Sequence, residues 1–195
     1  IMAPNAHKNI IKFYQFYKSK MMYLDAKPNL AHLFFAQLEE KSNKNISVVT
    51  QNIDGLHQQA GNKKVYELHG SIYRNYCMNC RKFYDAKYVK NFYHDTPTCQ
   101  DCGGIIKPDV VLYEEGLDED TIMRSIDAIR RADTMIVIGT SLVVYPAASF
   151  VRYFNGKHLV LINKSATPYD SMADLVINDD VVNVIKKMDY FNTGS

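Results

Sequence analysis

The 195-residue chain has no tryptophan, no glycine before Gly55 and no run of 18 or more apolar residues. Without such a run no membrane-spanning helix is expected, and the N-terminus lacks the basic-then-apolar pattern of an export signal. Charge is never massed: 23 Lys and Arg stand against 21 Asp and Glu, for a net +2. Neither a nucleic-acid groove nor a membrane partner is therefore expected. Cysteine is scarce too. Its four positions, Cys77, Cys80, Cys99 and Cys102, form two close pairs, which suits a metal site better than a disulfide framework and implies a reducing, cytoplasmic setting.

What is present alternates in character along the chain. Residues 6 to 23 and 29 to 41 carry apolar side chains at helical spacing, separated by a Lys27-Pro28-Asn29 break. A β-branched run, Ile46 to Thr50, then gives way to polar residues and Gly55, as when a buried strand ends in a functional loop. After the cysteine segment the pattern predicts helices over 118–131, 146–154 and 181–188, and strands over 134–142, 158–163 and 175–177. Strands alternating with helices predict an α/β fold with a mostly parallel sheet covered on both faces. In such a sheet ligands bind beyond the carboxyl ends of the strands, here in the loops after Thr50, Leu142 and Ile162.

The cysteines read C-x₂-C-x₁₈-C-x₂-C. A two-residue gap lets both thiolates of a pair reach one tetrahedral ion, and the long gap returns the second pair to it. Four thiolates leave the ion no open position, so one structural zinc is expected, in a lobe spanning 72–107 that is poor in aliphatics and organised by metal more than by a core. His94, between the pairs, reads as a surface residue.

Two other segments carry polar chemistry. Thr50-Gln51-Asn52-Ile53-Asp54-Gly55-Leu56-His57 sets amides, a carboxylate and a glycine directly after a strand, which suits a polar ligand and equally an Asx-rich turn. His69-Gly70 alone is ambiguous, since a lone histidine is more often a satisfied structural residue than a base.

Taken in order, TQNIDGLH at 50–57, ELHGS at 67–71, the two cysteine pairs, KPDVVLY at 107–113, VIGTSLVVYPAA at 137–148 and LIN at 161–163 resemble the sirtuins over nearly the whole chain. The resemblance implies a Rossmann-like NAD-binding domain, here residues 1–71 and 108–195, with the zinc-binding lobe inserted. It implies that Gln51, Asn52, Ile53 and Asp54 surround the nicotinamide and its ribose, and that Gly139, Thr140 and Ser141 approach the adenosine side and its phosphate link. Asn163 with Lys164 would meet the adenine ribose, the backbone at Val181 the adenine, and Val110, Val111 and Tyr113 an acyl-lysine peptide. His69 would be the general base, since imidazole is the side chain whose charge changes near neutral pH. The implied activity is NAD-dependent protein-lysine deacylation, in which nicotinamide leaves and the acyl group passes to ADP-ribose.

The chain departs from the family pattern in three places. No counterpart of the glycine-rich loop after the first strand occurs before Gly55, so these 195 residues are expected to be an N-terminally truncated sirtuin that binds NAD poorly by itself. Tyr113-Glu114-Glu115 replaces aromatic-Gly-Glu, and Tyr17-Lys18-Ser19-Lys20 lacks the arginine associated with acidic acyl groups, so no desuccinylation is assigned. Two alternatives follow from the same motifs. One is a sirtuin-like ADP-ribosyltransferase, against which His69 argues, and the other is a non-catalytic interaction module.

Overall fold

The computed structural model describes residues 4–112, 115–140, 142 and 147–188. In chain order the elements are α1 (Pro4–Lys20), α2 (Leu30–Ser42), β1 (Val48–Thr50), α3 (Leu56–Ala60), β2 (Val65–Glu67), β3 (Gly70–Cys77), β4 (Phe83–Tyr84) and α4 (Ala86–Asn91). There follow β5 (Ile106–Val110), α5 (Glu119–Arg131), β6 (Thr134–Ile138), α6 (Ala147–Phe150), β7 (His158–Ile162), β8 (Leu175–Ile177) and α7 (Val181–Lys187). They divide into two compact units. No helix among the described residues is long and apolar enough to cross a membrane.

The first unit comprises residues 1–27, 52–56 and 67–117. Its sheet has the order β4-β3-β5, with β3 antiparallel to both neighbours. The cysteine segment was expected to be organised by metal more than by a core, yet this unit has a substantial apolar core. Tyr14, Tyr17 and Met22 pack with Ile72, Cys77, Tyr84, Val89, Cys99, Ile106 and Val110. The tyrosines of α1 bring the apolar area that the segment itself lacks, and Tyr14 donates its hydroxyl to the Ile106 carbonyl. This packing groups α1 with the cysteines, whereas the division by sequence put residues 1–71 with the Rossmann-like part.

The second unit comprises residues 28–51, 57–66 and 118–195. Three strands, β6-β7-β8, run parallel in register from Thr134↔His158 to Ile162↔Ile177. Leu159 and Leu161 of β7 are buried with Leu142, Val151 and Tyr169. Strands β1 and β2 form a separate pair. Helix α2 begins two residues after Pro28, with Asn29 as its cap. The Asn29 side chain accepts from the Ala31 and His32 backbone at 2.9 and 3.2 Å, and His32 Nδ1 reciprocates toward the Asn29 N–H at 3.2 Å. Its Ala31 and Phe34 pack against Ile185 of α7. The parallel sheet and its helices give the α/β class expected from the alternation of strands and helices.

Candidate active site and metal centre

The two cysteine pairs adopt the same backbone turn. Cys77 N–H donates to the Lys82 carbonyl at 2.9 Å and Arg81 N–H to the Cys77 carbonyl at 3.0 Å. In the second pair Cys99 N–H donates to Gly104 at 2.7 Å and Gly103 N–H to Cys99 at 2.9 Å. Arg81 and Gly103, in equivalent places, both have positive φ. The two turns face one another across a Lys82–Asp101 ion pair of 2.7 Å.

All four Sγ atoms lie within 4.8 Å of one another, with Cys77–Cys102 at 3.4 Å and Cys80–Cys99 at 3.6 Å. A tetrahedral zinc with bonds of about 2.3 Å requires sulfur separations of about 3.8 Å, so the cluster fits that ion with no fifth group needed. His94 is exposed and stands outside the cluster. The Tyr84 hydroxyl donates to Cys99 Sγ at 3.1 Å and, with the Cys102 and Asp101 backbone N–H groups, lowers the thiol's pKa to about 6. Sequence reasoning missed this residue, because nothing in the spacing of Tyr84 marks it as a partner of Cys99.

In the same unit, His69 ends the turn that leads into β3. Gly70, at φ +75°, crosses β5 so closely that a Cβ would lie 1.9 Å from the Asp109 carbonyl oxygen, which excludes every other residue type. The Val111 N–H donates to the His69 carbonyl at 3.1 Å, and Gly70 pairs with Val110. Val110 is 5 % exposed and packs into the core, whereas Val111 is half-buried.

Two residues further along β3, the Ile72 N–H donates to the Ile53 carbonyl at 3.0 Å, while the half-buried Ile53 side chain joins the core. Asn52 is exposed, and Asp54 accepts from the Leu56 N–H at 3.0 Å, which closes the Asx turn read from the sequence. The start of β3 thus gathers His69, the loop 52–54 and residues 110–111.

The remaining candidates lie in the second unit. Gln51 follows β1 and is half-buried. At the carboxyl end of β6 the chain turns at Gly139, φ +62°, whose N–H donates to the Ile162 carbonyl at 3.1 Å. No atom of the described residues lies within 4 Å of the place its Cβ would occupy, so among them the backbone is open to a ligand there. Asn163 Nδ2 donates to the carbonyls of Thr140 at 3.0 Å and Ser165 at 3.1 Å, tying the ends of β6 and β7 together and leaving Oδ1 as the amide's acceptor for a ligand hydroxyl. Lys164 pairs with Asp180 at 3.0 Å, and Asp180 caps α7, the helix that opens at Val181. An open glycine, a hydroxyl and an amide at the carboxyl ends of parallel strands suit the ribose and phosphate oxygens of a dinucleotide. Ser141, Tyr113 and Glu114 lie outside the described residues.

Comparison with known proteins bears on both units. The model of the Sir2 family matches residues 2–146. The NAD-dependent protein deacetylase of Clostridium acetobutylicum is 60% identical over 174 residues, which is 89% of this chain and 71% of that protein. That of Clostridium perfringens is 58% identical over 178 residues, 91% of this chain and 72% of that protein. A solved structure of Sir2 with a p53 peptide and NAD+ aligns at TM-score 0.85 with 42% identity, covering 95% of this chain and 79% of that one. Sir2Tm bound to a propionylated peptide aligns at TM-score 0.86 with 42% identity, covering 97% of this chain and 81% of that one.

Proposed function

This chain belongs to the Sir2 family, and from that premise we propose that it is an NAD-dependent protein-lysine deacylase acting on acyl-lysine proteins. When bound, NAD supplies the ribosyl acceptor for the acyl group and nicotinamide as the leaving group. His69 is the general base and takes a hydroxyl proton on its imidazole. In the first unit, Asn52, Ile53 and Asp54 attend the nicotinamide end, and Val110, Val111 and Tyr113 attend the peptide. In the second, Gln51 serves the nicotinamide side, Gly139, Thr140 and Ser141 the adenosine side and its phosphate link, Asn163 and Lys164 the adenine ribose, and the Val181 backbone the adenine. Zinc on Cys77, Cys80, Cys99 and Cys102 is structural, because four thiolates close its coordination sphere. Four cysteines committed to a metal also support a reducing compartment, the cytoplasm.

One observation supports this reading most directly. A base, an amide-carboxylate loop and a strand edge converge on the first residues of β3, through the Ile72–Ile53 and Val111–His69 backbone bonds. Incubation with NAD and an acetyl-lysine peptide should give nicotinamide, deacetylated peptide and O-acetyl-ADP-ribose in equal amounts by mass spectrometry. Transfer of ADP-ribose to protein without deacetylation would instead identify a transferase. No NAD-dependent product at all would overturn the enzyme reading.

A further inference from the structure

The strand that gathers these groups is not regular, and the irregularity is occupied by a cation. Strand β3 pairs with β5 at Gly70↔Val110 and Ser71↔Asp109, and next at Asn75↔Pro108. Across one step of β5, three residues of β3 (Ile72, Tyr73 and Arg74) therefore fold out of the ladder. The fold-out is fixed from inside. The Ser71 hydroxyl accepts from the Tyr73 N–H at 3.2 Å, and the fully buried Asn75 donates to the carbonyls of Ile72 at 3.2 Å and Tyr84 at 3.3 Å.

Arg74 then reaches back across the fold-out. Its Nη1 meets Glu67 Oε2 at 2.7 Å and its Nε meets Asp109 Oδ2 at 2.7 Å. Glu67 stands two residues before His69, and its side chain is only 9 % exposed. Asp109 stands one residue before Val110. One planar guanidinium thus ties the segment carrying the base to the strand beside it with two charge-assisted hydrogen bonds.

We propose that Arg74 is a positioning residue for deacylation, holding His69 in register with the acyl-lysine strand Val110–Val111 through Glu67 and Asp109. The inference rests on the deacylase reading given above. Arg74 does not itself reach the reacting groups. Its effect is on geometry, where a displacement of about 1 Å costs on the order of a hundredfold in rate.

The test uses the full-length protein with Arg74→Met, which keeps the stem and removes the charge, and Arg74→Lys, which keeps the charge and removes the fork. Arg74→Met should lower kcat/KM for an acetyl-lysine peptide by about tenfold or more with the KM for NAD unchanged, and Arg74→Lys should fall between. A folded Arg74→Met protein with the unsubstituted kcat/KM for peptide overturns the proposal, as does a loss expressed equally in the KM for NAD. Zinc content and melting temperature report folding. If Arg74→Met loses its zinc, Asp109→Asn must give the same peptide-specific loss, and its absence is equally fatal.

If the unsubstituted protein itself yields no NAD-dependent product, the deacylase reading fails separately. Peptide affinity by fluorescence anisotropy then decides the clamp. A weaker Arg74→Met supports it, and equal affinity, or no binding by either protein, overturns it.

Discussion

Tyr84 holds the second cysteine turn at two consecutive residues: its hydroxyl donates to Cys99 Sγ at 3.1 Å and accepts from the Gln100 N–H at 3.0 Å. Burial, and then the bond to Cys99, push the phenol's pKa up to about 12, so it remains a donor throughout the working pH range. The same bond, together with the Cys102 and Asp101 backbone N–H groups and the Cys80 thiol, pulls the Cys99 thiol from its ordinary 9.0 to about 6. In zinc-stripped protein, alkylation of Cys99 should therefore rise with a midpoint near pH 6, since the thiolate accumulates as pH passes that value. Tyr84→Phe removes one oxygen from a packed site. It should move that midpoint upward and weaken zinc binding by about tenfold or more in competition with a chelator.

The four-thiolate cluster predicts one zinc per chain by metal analysis, and Cys99→Ser locates what the metal holds. Cys99 is both a member of the four-thiol cluster and a residue of the core cluster that includes Val89 and Ile106. Its loss should loosen the first unit and spare the β6-β7-β8 sheet, whose core is built from Leu142, Val151, Leu159, Leu161 and Tyr169. Limited proteolysis read by mass spectrometry should find early cuts within 72–107 and late ones within 134–177. Equal cutting in both regions would contradict that order.

His69 and Gly70 are adjacent, yet their substitutions should fail for different reasons. His69→Ala removes a half-buried imidazole and should abolish deacetylation while zinc content and melting temperature stay close to those of the unsubstituted protein. Gly70→Ala drives a Cβ to 1.9 Å from the Asp109 oxygen at a φ that L-residues avoid, so it should cost roughly 3 kcal/mol in denaturant unfolding before any catalytic effect is counted. A stable Gly70→Ala protein would mean that β3 and β5 do not approach as described.

How far the sequence could be read depended on whether a pattern had one physical cause. The cysteine spacing had one, because a tetrahedral ion tolerates few chain geometries, and the four sulfurs indeed converge. The run His158 to Asn163 was equally plain, since a strand buried on both faces is continuously apolar, and β7 occupies His158–Ile162. The β3–β5 pair was not legible. Gly70–Cys77 loses its alternation at the fold-out, and Pro108 argues against a central strand. The proline is accommodated because it pairs with Asn75 just where the register shifts, so its missing N–H breaks no regular ladder. Nor could the helical pattern of residues 6–23 say which core it serves. An amphipathic face looks the same whether it meets a parallel sheet or, as Tyr14 and Tyr17 do, the cysteine-bearing unit.

Asn163 offers the sharpest probe of the dinucleotide end, because its two atoms have opposite duties. Nδ2 is committed to the Thr140 and Ser165 carbonyls, at 3.0 and 3.1 Å, and in the proposed reading Oδ1 accepts a ribose hydroxyl. Asn163→Asp keeps an acceptor but sets a carboxylate oxygen against two carbonyl oxygens. It should therefore open the junction of β6 and β7 and cost about 1–3 kcal/mol of stability. Asn163→Ala removes both functions, leaving the two carbonyls to find water, at about 1 kcal/mol or somewhat more. If Oδ1 receives the ribose, NAD affinity by calorimetric titration should fall in both variants, whereas zinc content should change in neither. Asn163→Asp should be the less stable of the two, since repulsion adds to the lost bonds. A variant that keeps full NAD affinity while the β6–β7 junction is destabilised would assign Asn163 to the scaffold alone.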